Sequence, residues 1–133
     1  MLRCAVRETE EEAGVRLSPA DLYPWAHWIT PEVEPRRYDT AFYLAALPAG
    51  QTARDLSGET TMAEWRTPAG LLAAADAGEL RLMPPTRSIL LELTDRLSVS
   101  AAVAASRDRQ VETVLPRVVR GPDGWLFDYG TDT

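Results

Sequence analysis

The sequence predicts an α/β domain built around a mixed sheet, and three observations lead to this prediction. The chain has 133 residues, enough for one domain and not comfortably for two. Hydrophobic residues make up 45% and charged residues 26%, which is typical of a folded globular protein and unlike a disordered chain. Segments with helical periodicity are interspersed with segments of extended, aromatic or β-branched character.

Charge and cysteine content exclude several classes of function. Twenty acidic and fourteen basic residues give a net charge of −6, which argues against a nucleic acid as partner because phosphate contacts need clustered positive charge. No apolar run reaches the ~18–20 residues of a membrane span, and the first residues lack the apolar core of a secretory signal. Cys4 is the single cysteine and cannot form an intrachain disulfide, so a cytoplasmic location is predicted.

The first element is an amphipathic helix over residues 2–13. This stretch has no Pro or Gly, and its apolar residues recur at three- and four-residue spacing. Gly14 stands where a left-handed C-terminal cap is expected. No capping residue precedes Leu2, so this helix has an end but no start in the sequence.

One side of the helix is strongly acidic. Glu8, Glu11 and Glu12 are related by i,i+3 and i,i+4 spacing, which places their carboxylates on one face, whereas Glu10 points elsewhere. The spacing also predicts two ion pairs that relieve the repulsion, Arg7–Glu11 and Arg16–Glu12. Such a face fits a solvated helix surface. It also fits a site for Mg²⁺ or Mn²⁺, which prefer carboxylate oxygens and often share a few protein ligands with substrate phosphates.

The order of residues in this helix resembles a known family motif. Residues 7–15, Arg-Glu-Thr-Glu-Glu-Glu-Ala-Gly-Val, resemble the second half of the Nudix box, Gly-x5-Glu-x7-Arg-Glu-U-x-Glu-Glu-x-Gly-U, where U is aliphatic. Thr9 is the one departure, and its methyl group can still pack inward. The first half of the motif would precede Met1. The resemblance therefore implies a Nudix-type α/β/α sandwich that lacks its amino-terminal strands, as a start codon assigned too late would produce.

The segments after this helix fit the same architecture. Three strands are predicted, at residues 22–29, 38–47 and 59–66. One helix is predicted over residues 69–77, with Thr67 as its cap, and another begins near Thr86 and continues to Leu97. Residues 111–127 predict a hairpin around a Gly-Pro-Asp-Gly turn.

Further segments are similar to one branch of the family. Trp28-Ile29-Thr30-Pro31 with residues 36–42, and Leu82-Met83-Pro84-Pro85-Thr86 with residues 114–117, resemble the longer Nudix proteins related to peroxisomal coenzyme A diphosphatases, including actinobacterial ones. The chain then divides into a partial Nudix domain at residues 1–98, which starts inside the catalytic helix, and a carboxyl-terminal extension at residues 99–133.

The resemblance implies an activity and a set of site residues. Nudix enzymes cleave a phosphoanhydride in a nucleoside diphosphate linked to another group, with divalent metals and an activated water. Glu8, Glu11 and Glu12 would be the carboxylates that hold Mg²⁺ or Mn²⁺, and Arg7 would orient them by ion pairing. The substrate would be a small nucleotide diphosphate, with coenzyme A or an acyl derivative as a candidate. The identity of the general base stays open.

Residues outside the helix are further candidates. Glu59 or Glu64 could act as the base, although both also fit strand-surface positions. Arg36 and Arg37 would face opposite sides of a strand, so one could contact a substrate phosphate while the other pairs with a neighbouring carboxylate.

The lone histidine and three of the tryptophans have structural interpretations. His27 has no partner at metal-ligand spacing and is predicted to be a buried or edge residue. Trp25, Trp28 and Trp65 are predicted to belong to the core, with stacking on adenine left open.

Two other functions compete with hydrolysis. One is a non-catalytic fragment that keeps the helix without a working site. The other is an acidic interaction module, which does not explain Arg7, Gly14 or the later strands. We expect this chain alone to be barely active and a longer chain that includes the Gly-x5-Glu segment to be active.

Overall fold

The computed structural model describes residues 2–53, 65–96 and 98–128. Its elements in chain order are α1 (Leu2–Ala13), a 3-10 turn (Pro19–Asp21), β1 (Tyr23–Ile29), β2 (Asp39–Leu44), α2 (Pro68–Asp76), α3 (Pro84–Leu93), α4 (Val99–Asp108), β3 (Thr113–Val114), β4 (Arg117–Gly121) and β5 (Gly124–Asp128). Glu59 and Glu64, with most of the strand predicted around them, lie outside the described residues. None of the helices within the described ranges is long and apolar enough to cross a membrane.

Three strands form a mixed sheet in the order β2-β1-β3. β1 and β2 run antiparallel, with Trp28 opposite Thr40. β3 runs parallel to β1 and places Thr113 beside His27. The register of β1 shifts between Pro24 and Ala26 because proline has no N–H group for the ladder. The predicted mixed sheet is confirmed.

The core lies on one face of this sheet, under α3. Trp25, Ala26 and Trp28 are buried, and Ile89 and Leu93 of α3 pack against them. Other partly buried side chains complete this core: Phe42, Leu44, Ala105 and Val114. Burying large aromatic side chains in this way is the main stabilising contribution that a small domain has.

Helix α1 faces β2 across a groove on the side of the sheet opposite α3. Successive side chains alternate across a strand, so Ala41 and Tyr43 point away from the α3 face. Ala5 and Thr9 of α1 line a groove together with these two residues. Thr9 is half-buried there, as its place in the apolar stripe predicts, and its hydroxyl donates to the Ala5 carbonyl at 2.7 Å. Helices on both faces of a mixed sheet give the predicted α/β/α arrangement.

A single arginine connects α3, α4 and β1. Arg109 follows α4 directly, and its Nε donates to the Trp25 carbonyl oxygen at 2.6 Å. Its Nη2 lies 2.6 Å from Glu92 Oε2 on α3, and its guanidinium carbon lies 4.3 Å from the centre of the Trp25 ring. A charge-assisted hydrogen bond, an ion pair and a cation–π contact thus converge on one side chain.

The structure corrects two predictions and contains one helix that was not predicted. The helix expected to continue to Leu97 ends at Leu93, and α4 follows it unpredicted. The start of α4 is capped by Ser98, whose hydroxyl accepts from the Ala101 N–H at 3.1 Å. Trp65 is 75% exposed, so the core position predicted for it is wrong. The hairpin around residues 121–124 is confirmed as β4–β5.

Candidate active site on helix α1

Local contacts at its carboxyl end hold α1 in place. Gly14 has φ 69° and ends the helix, with its N–H donating to the Glu10 carbonyl at 2.9 Å. Gln51 then bonds to the backbone of Arg16 twice, because its Oε1 accepts from the Arg16 N–H at 2.6 Å and its Nε2 donates to the Arg16 carbonyl at 3.0 Å. This pairing joins the helix end to the loop after β2.

The acidic face carries the predicted residues, and all of them are exposed. Arg7 Nε lies 3.8 Å from Glu11 Oε1, so this predicted ion pair is confirmed. Glu8 Oε1 accepts from the Cys4 thiol at a donor–acceptor distance of 3.5 Å. Within the part of the chain that the structure describes, Glu12 makes no hydrogen bond or ion pair. Glu8, Glu11 and Glu12 therefore remain accessible on one helix face.

The second predicted ion pair is wrong. Arg16 Nε lies 3.5 Å from Glu10 Oε1, and it does not pair with Glu12. The left-handed turn at Gly14 takes Arg16 off the helix, so i,i+4 spacing no longer decides which carboxylate it faces. As a result Glu10 is engaged away from the other three glutamates, as its position on the helix predicts.

The donor atoms on this face fit a hard divalent cation, but they do not form a closed site. Three carboxylates provide the oxygen ligands that Mg²⁺ and Mn²⁺ prefer. Among residues 2–53, 65–96 and 98–128, no three His, Cys, Asp or Glu side chains converge closely enough to hold a metal ion. The side chains of α1 would have to turn towards a common centre, which their exposure permits.

Arg36 and Arg37 lie in the loop before β2, not on a strand, so the expectation that they face opposite sides of a strand is wrong. The two nonetheless differ in their contacts. Arg37 Nε donates to the Thr30 carbonyl at 3.3 Å, while Arg36 lines a groove at the end of β1. Its contact with a substrate stays a prediction.

His27 joins the three strands of the sheet on one face. Its Nε2 pairs with a carboxylate oxygen of Asp39 on β2, and its Nδ1 lies 2.8 Å from Thr113 Oγ1 on β3. Asp39 is therefore engaged by a histidine and not by either arginine of the preceding loop. The prediction of a buried or edge position for His27 is wrong, because β1 is the central strand and the side chain is 27% exposed.

The groove at the end of β1 was not predicted from the sequence as a site. It has a volume of about 360 Å³, and residues from four separate segments line it, among them Trp28, Arg36, Tyr38, Met83 and Pro116. All four segments contribute residues from the stretches that resemble the coenzyme A diphosphatase branch, at residues 28–31, 36–42, 82–86 and 114–117. That shared resemblance was the available signal, although sequence spacing could not show that the segments meet.

Comparison with known proteins gives the family. The model of the NUDIX domain matches residues 1–85, which include α1 and its glutamates. The chain belongs to the NUDIX domain family. Two curated relatives are acyl-coenzyme A diphosphatases NUDT19. The one from Xenopus laevis is 34% identical over 68 residues, 48% of this chain, and the one from Gallus gallus is 31% identical over 114 residues, 79% of this chain.

These alignments cover only part of the relatives. The aligned residues span 18% of the length of the Xenopus protein and 30% of the length of the Gallus protein. No solved structure matches the chain significantly. The match to residues 1–85 reaches the start of α3 and leaves the division of the chain at residue 98 a prediction.

Proposed function

We propose that this NUDIX protein hydrolyses a phosphoanhydride in a nucleoside diphosphate linked to another group, with coenzyme A or an acyl-coenzyme A as the substrate. The observation that carries the proposal is the set of accessible carboxylates on α1, Glu8, Glu11 and Glu12, inside a stretch that the NUDIX domain model matches. The names of the two relatives support coenzyme A derivatives as the substrate class.

The residues of α1 divide into two roles in this proposal. Glu8, Glu11 and Glu12 would hold Mg²⁺ or Mn²⁺, which supplies charge neutralisation at phosphate oxygens and a lowered pKa of coordinated water. Arg7 orients the set through its contact with Glu11 and does not touch substrate. Gln51 and Gly14 fix the end of the helix and so determine where the carboxylates stand relative to the sheet.

Hydrolysis and metal binding test the proposal together. The 133-residue chain and a longer chain that supplies a Gly-x5-Glu segment ahead of Arg7 are assayed against coenzyme A, ADP-ribose and NADH, with and without Mg²⁺ or Mn²⁺. We expect metal-dependent hydrolysis of coenzyme A by the longer chain and little by the shorter one. Positioning errors of about 1 Å can lower a rate roughly a hundredfold, so the rate depends on how the phosphates are held opposite the carboxylates of α1.

Two matched variants of the longer chain distinguish a role of the proposed metal-binding carboxylates from an effect of the negative charge of the helix as a whole. Glu12→Gln should lower the hydrolysis rate at least about a hundredfold and weaken metal binding measured by calorimetry. Glu10→Gln removes the same charge from the same helix, but its carboxylate pairs with Arg16, so activity should be retained. A folded longer chain that binds metal and hydrolyses none of the three substrates would instead favour a non-catalytic domain.

A further inference from the structure

We propose that the groove between the end of β1 and the start of α3 binds a short aliphatic chain, and that this chain is the acyl part of the substrate. The second half of the statement rests on the proposed function. The first half concerns the groove itself and can be tested without any hydrolysis. Neither the NUDIX match nor the names of the relatives assigns a location to an acyl group.

The lining of the groove sets the chemistry of its ligand. Three of the lining residues differ in exposure, since Trp28 is only 7% exposed while Tyr38 and Met83 are 64% and 68% exposed. Pro84 and Pro85 belong to the same wall. Scattered exposed apolar residues are ordinary, but aromatic, thioether and proline groups collected in one concavity indicate a binding surface for an apolar ligand.

The size and charge of the groove indicate that it holds one part of a larger ligand. A volume of about 360 Å³ is near the lower end of the range for small-molecule sites, roughly 300–1,000 Å³. Such a volume suits a short aliphatic chain better than a whole coenzyme. Arg36 and Glu34 both line the groove and make no ion pair within the described residues, so the Arg36 guanidinium is available to a carbonyl or phosphate oxygen.

The groove is formed before a ligand arrives. Thr30 and Tyr38 bond to each other across the loop that carries Arg36, since the Thr30 N–H donates to the Tyr38 carbonyl at 2.9 Å and the Tyr38 N–H donates to Thr30 Oγ1 at 2.9 Å. Within that loop the Glu34 N–H donates to the Pro31 carbonyl at 3.1 Å. A wall fixed by backbone hydrogen bonds loses little conformational freedom on binding, which favours affinity for a small apolar group.

The test uses S-acyl-pantetheines, which lack the diphosphate and nucleoside. Their binding to the 133-residue chain is measured by calorimetry for acyl groups from acetyl to decanoyl. We expect affinity to rise up to about fourfold for each added methylene until the groove is filled, and then to level off. Affinity that does not change with chain length would overturn the proposal, and so would displacement of the probes by adenosine.

Two exposed apolar residues provide matched variants. Met83→Asp puts a charge into the groove at the N-cap position of α3, where aspartate is a favoured residue, so the fold should be retained. Val99→Asp makes the same change at a site 63% exposed and outside the groove. Met83→Asp should abolish chain-length dependence and Val99→Asp should preserve it. Equal binding by the two variants would contradict the assignment.

A third variant covers the case in which Met83→Asp does not fold, as judged by circular dichroism. Tyr38→Ser removes an exposed ring without changing the backbone bonds to Thr30, and it should lower decanoyl affinity at least about tenfold. Hydrolysis of unacylated coenzyme A by the longer chain is followed in parallel. Unchanged decanoyl binding in Tyr38→Ser removes the groove assignment alone, whereas absence of coenzyme A hydrolysis by the longer chain, with chain-length-dependent probe binding intact, removes the proposed function alone.

Discussion

Helix α1 and the region around β1 differ in how they are held. None of the residues in α1 is buried. The glutamates of α1 pair with Arg7 in the same helix and with Arg16 just after its end. Trp25 in β1 is 2% exposed and is contacted by Arg109, which lies 84 positions later in the chain. Apart from the two bonds of Gln51 to Arg16 just after its end, α1 depends on local contacts, whereas the region around β1 joins distant parts of the sequence.

The residues proposed for the reaction therefore differ from those that stabilise the fold. The residues proposed for metal binding lie on an exposed surface that contributes little to the free energy of unfolding, so they can be changed without loss of the fold. Trp25 and Arg109 hold β1, α3 and α4 together and have no proposed role in the reaction. Substitutions of the glutamates on α1 should therefore change metal binding and hydrolysis, whereas substitutions at Trp25 should change the free energy of unfolding.

The largest effect is expected at the buried tryptophan. Trp25→Ala should lower the free energy of unfolding by about 3–5 kcal/mol, because it removes a fully buried ring and leaves a cavity. Trp125→Ala, at a position 73% exposed, should change it by less than about 0.5 kcal/mol. Urea unfolding followed by circular dichroism measures both. Similar values for the two variants would mean that the core is not centred on Trp25.

A conservative change refines this prediction. The indole Nε1 of Trp25 is buried and has no hydrogen-bond partner among the described residues. Trp25→Phe therefore removes an unsatisfied donor together with some volume, and we expect a loss of less than about 1.5 kcal/mol. A loss as large as that of the alanine variant would indicate that the indole N–H is bonded in solution.

The same contrast explains which predictions from the sequence were correct. The helix over residues 2–13 and its pairing of Arg7 with Glu11 follow from spacing within a few positions, and both were confirmed. The exposure of Trp65 and the groove beside Met83 depend on which segments meet in the fold. The identity of a residue does not contain that information, because a tryptophan in a predicted strand can face either the core or the solvent.

The missed helix has a separate cause. α4 is rich in alanine and serine, and its apolar residues do not form a long stripe of large side chains. Its position is set by Arg109 just after its end and by the cap at Ser98. A charged residue that holds a helix to a distant tryptophan is a tertiary contact, and local periodicity cannot show it.

An intermediate effect is expected at the two glycines that end helices. Gly14 and Gly78 have φ of 69° and 79°, so an alanine at either position should destabilise the protein by about 1–2 kcal/mol. Only Gly14 follows the helix with the glutamates. We expect Gly14→Ala to weaken Mn²⁺ binding in calorimetry and Gly78→Ala to leave it unchanged. Equal metal affinity in both variants would show that the end of α1 does not position the carboxylates.

The smallest change in stability is expected on the acidic face, where it should have opposite signs for two neighbouring residues. Glu8 is related to Glu11 and Glu12 by i,i+3 and i,i+4 spacing, so Glu8→Gln relieves repulsion and should stabilise the fold by a few tenths of a kcal/mol, roughly 0.2–0.5 for each pair. Glu10→Gln removes the ion pair with Arg16 and should destabilise the fold by a similarly small amount. Thermal unfolding in low salt measures both, since added salt screens these interactions.

Metal binding should show the reverse order, with affinity for Mn²⁺ lowered about tenfold or more in Glu8→Gln and kept in Glu10→Gln. A variant that is more stable and binds metal less well would show that the repulsion on α1 is retained because the carboxylates serve the cation; if Glu8→Gln keeps its metal affinity, the face is only a solvated helix surface.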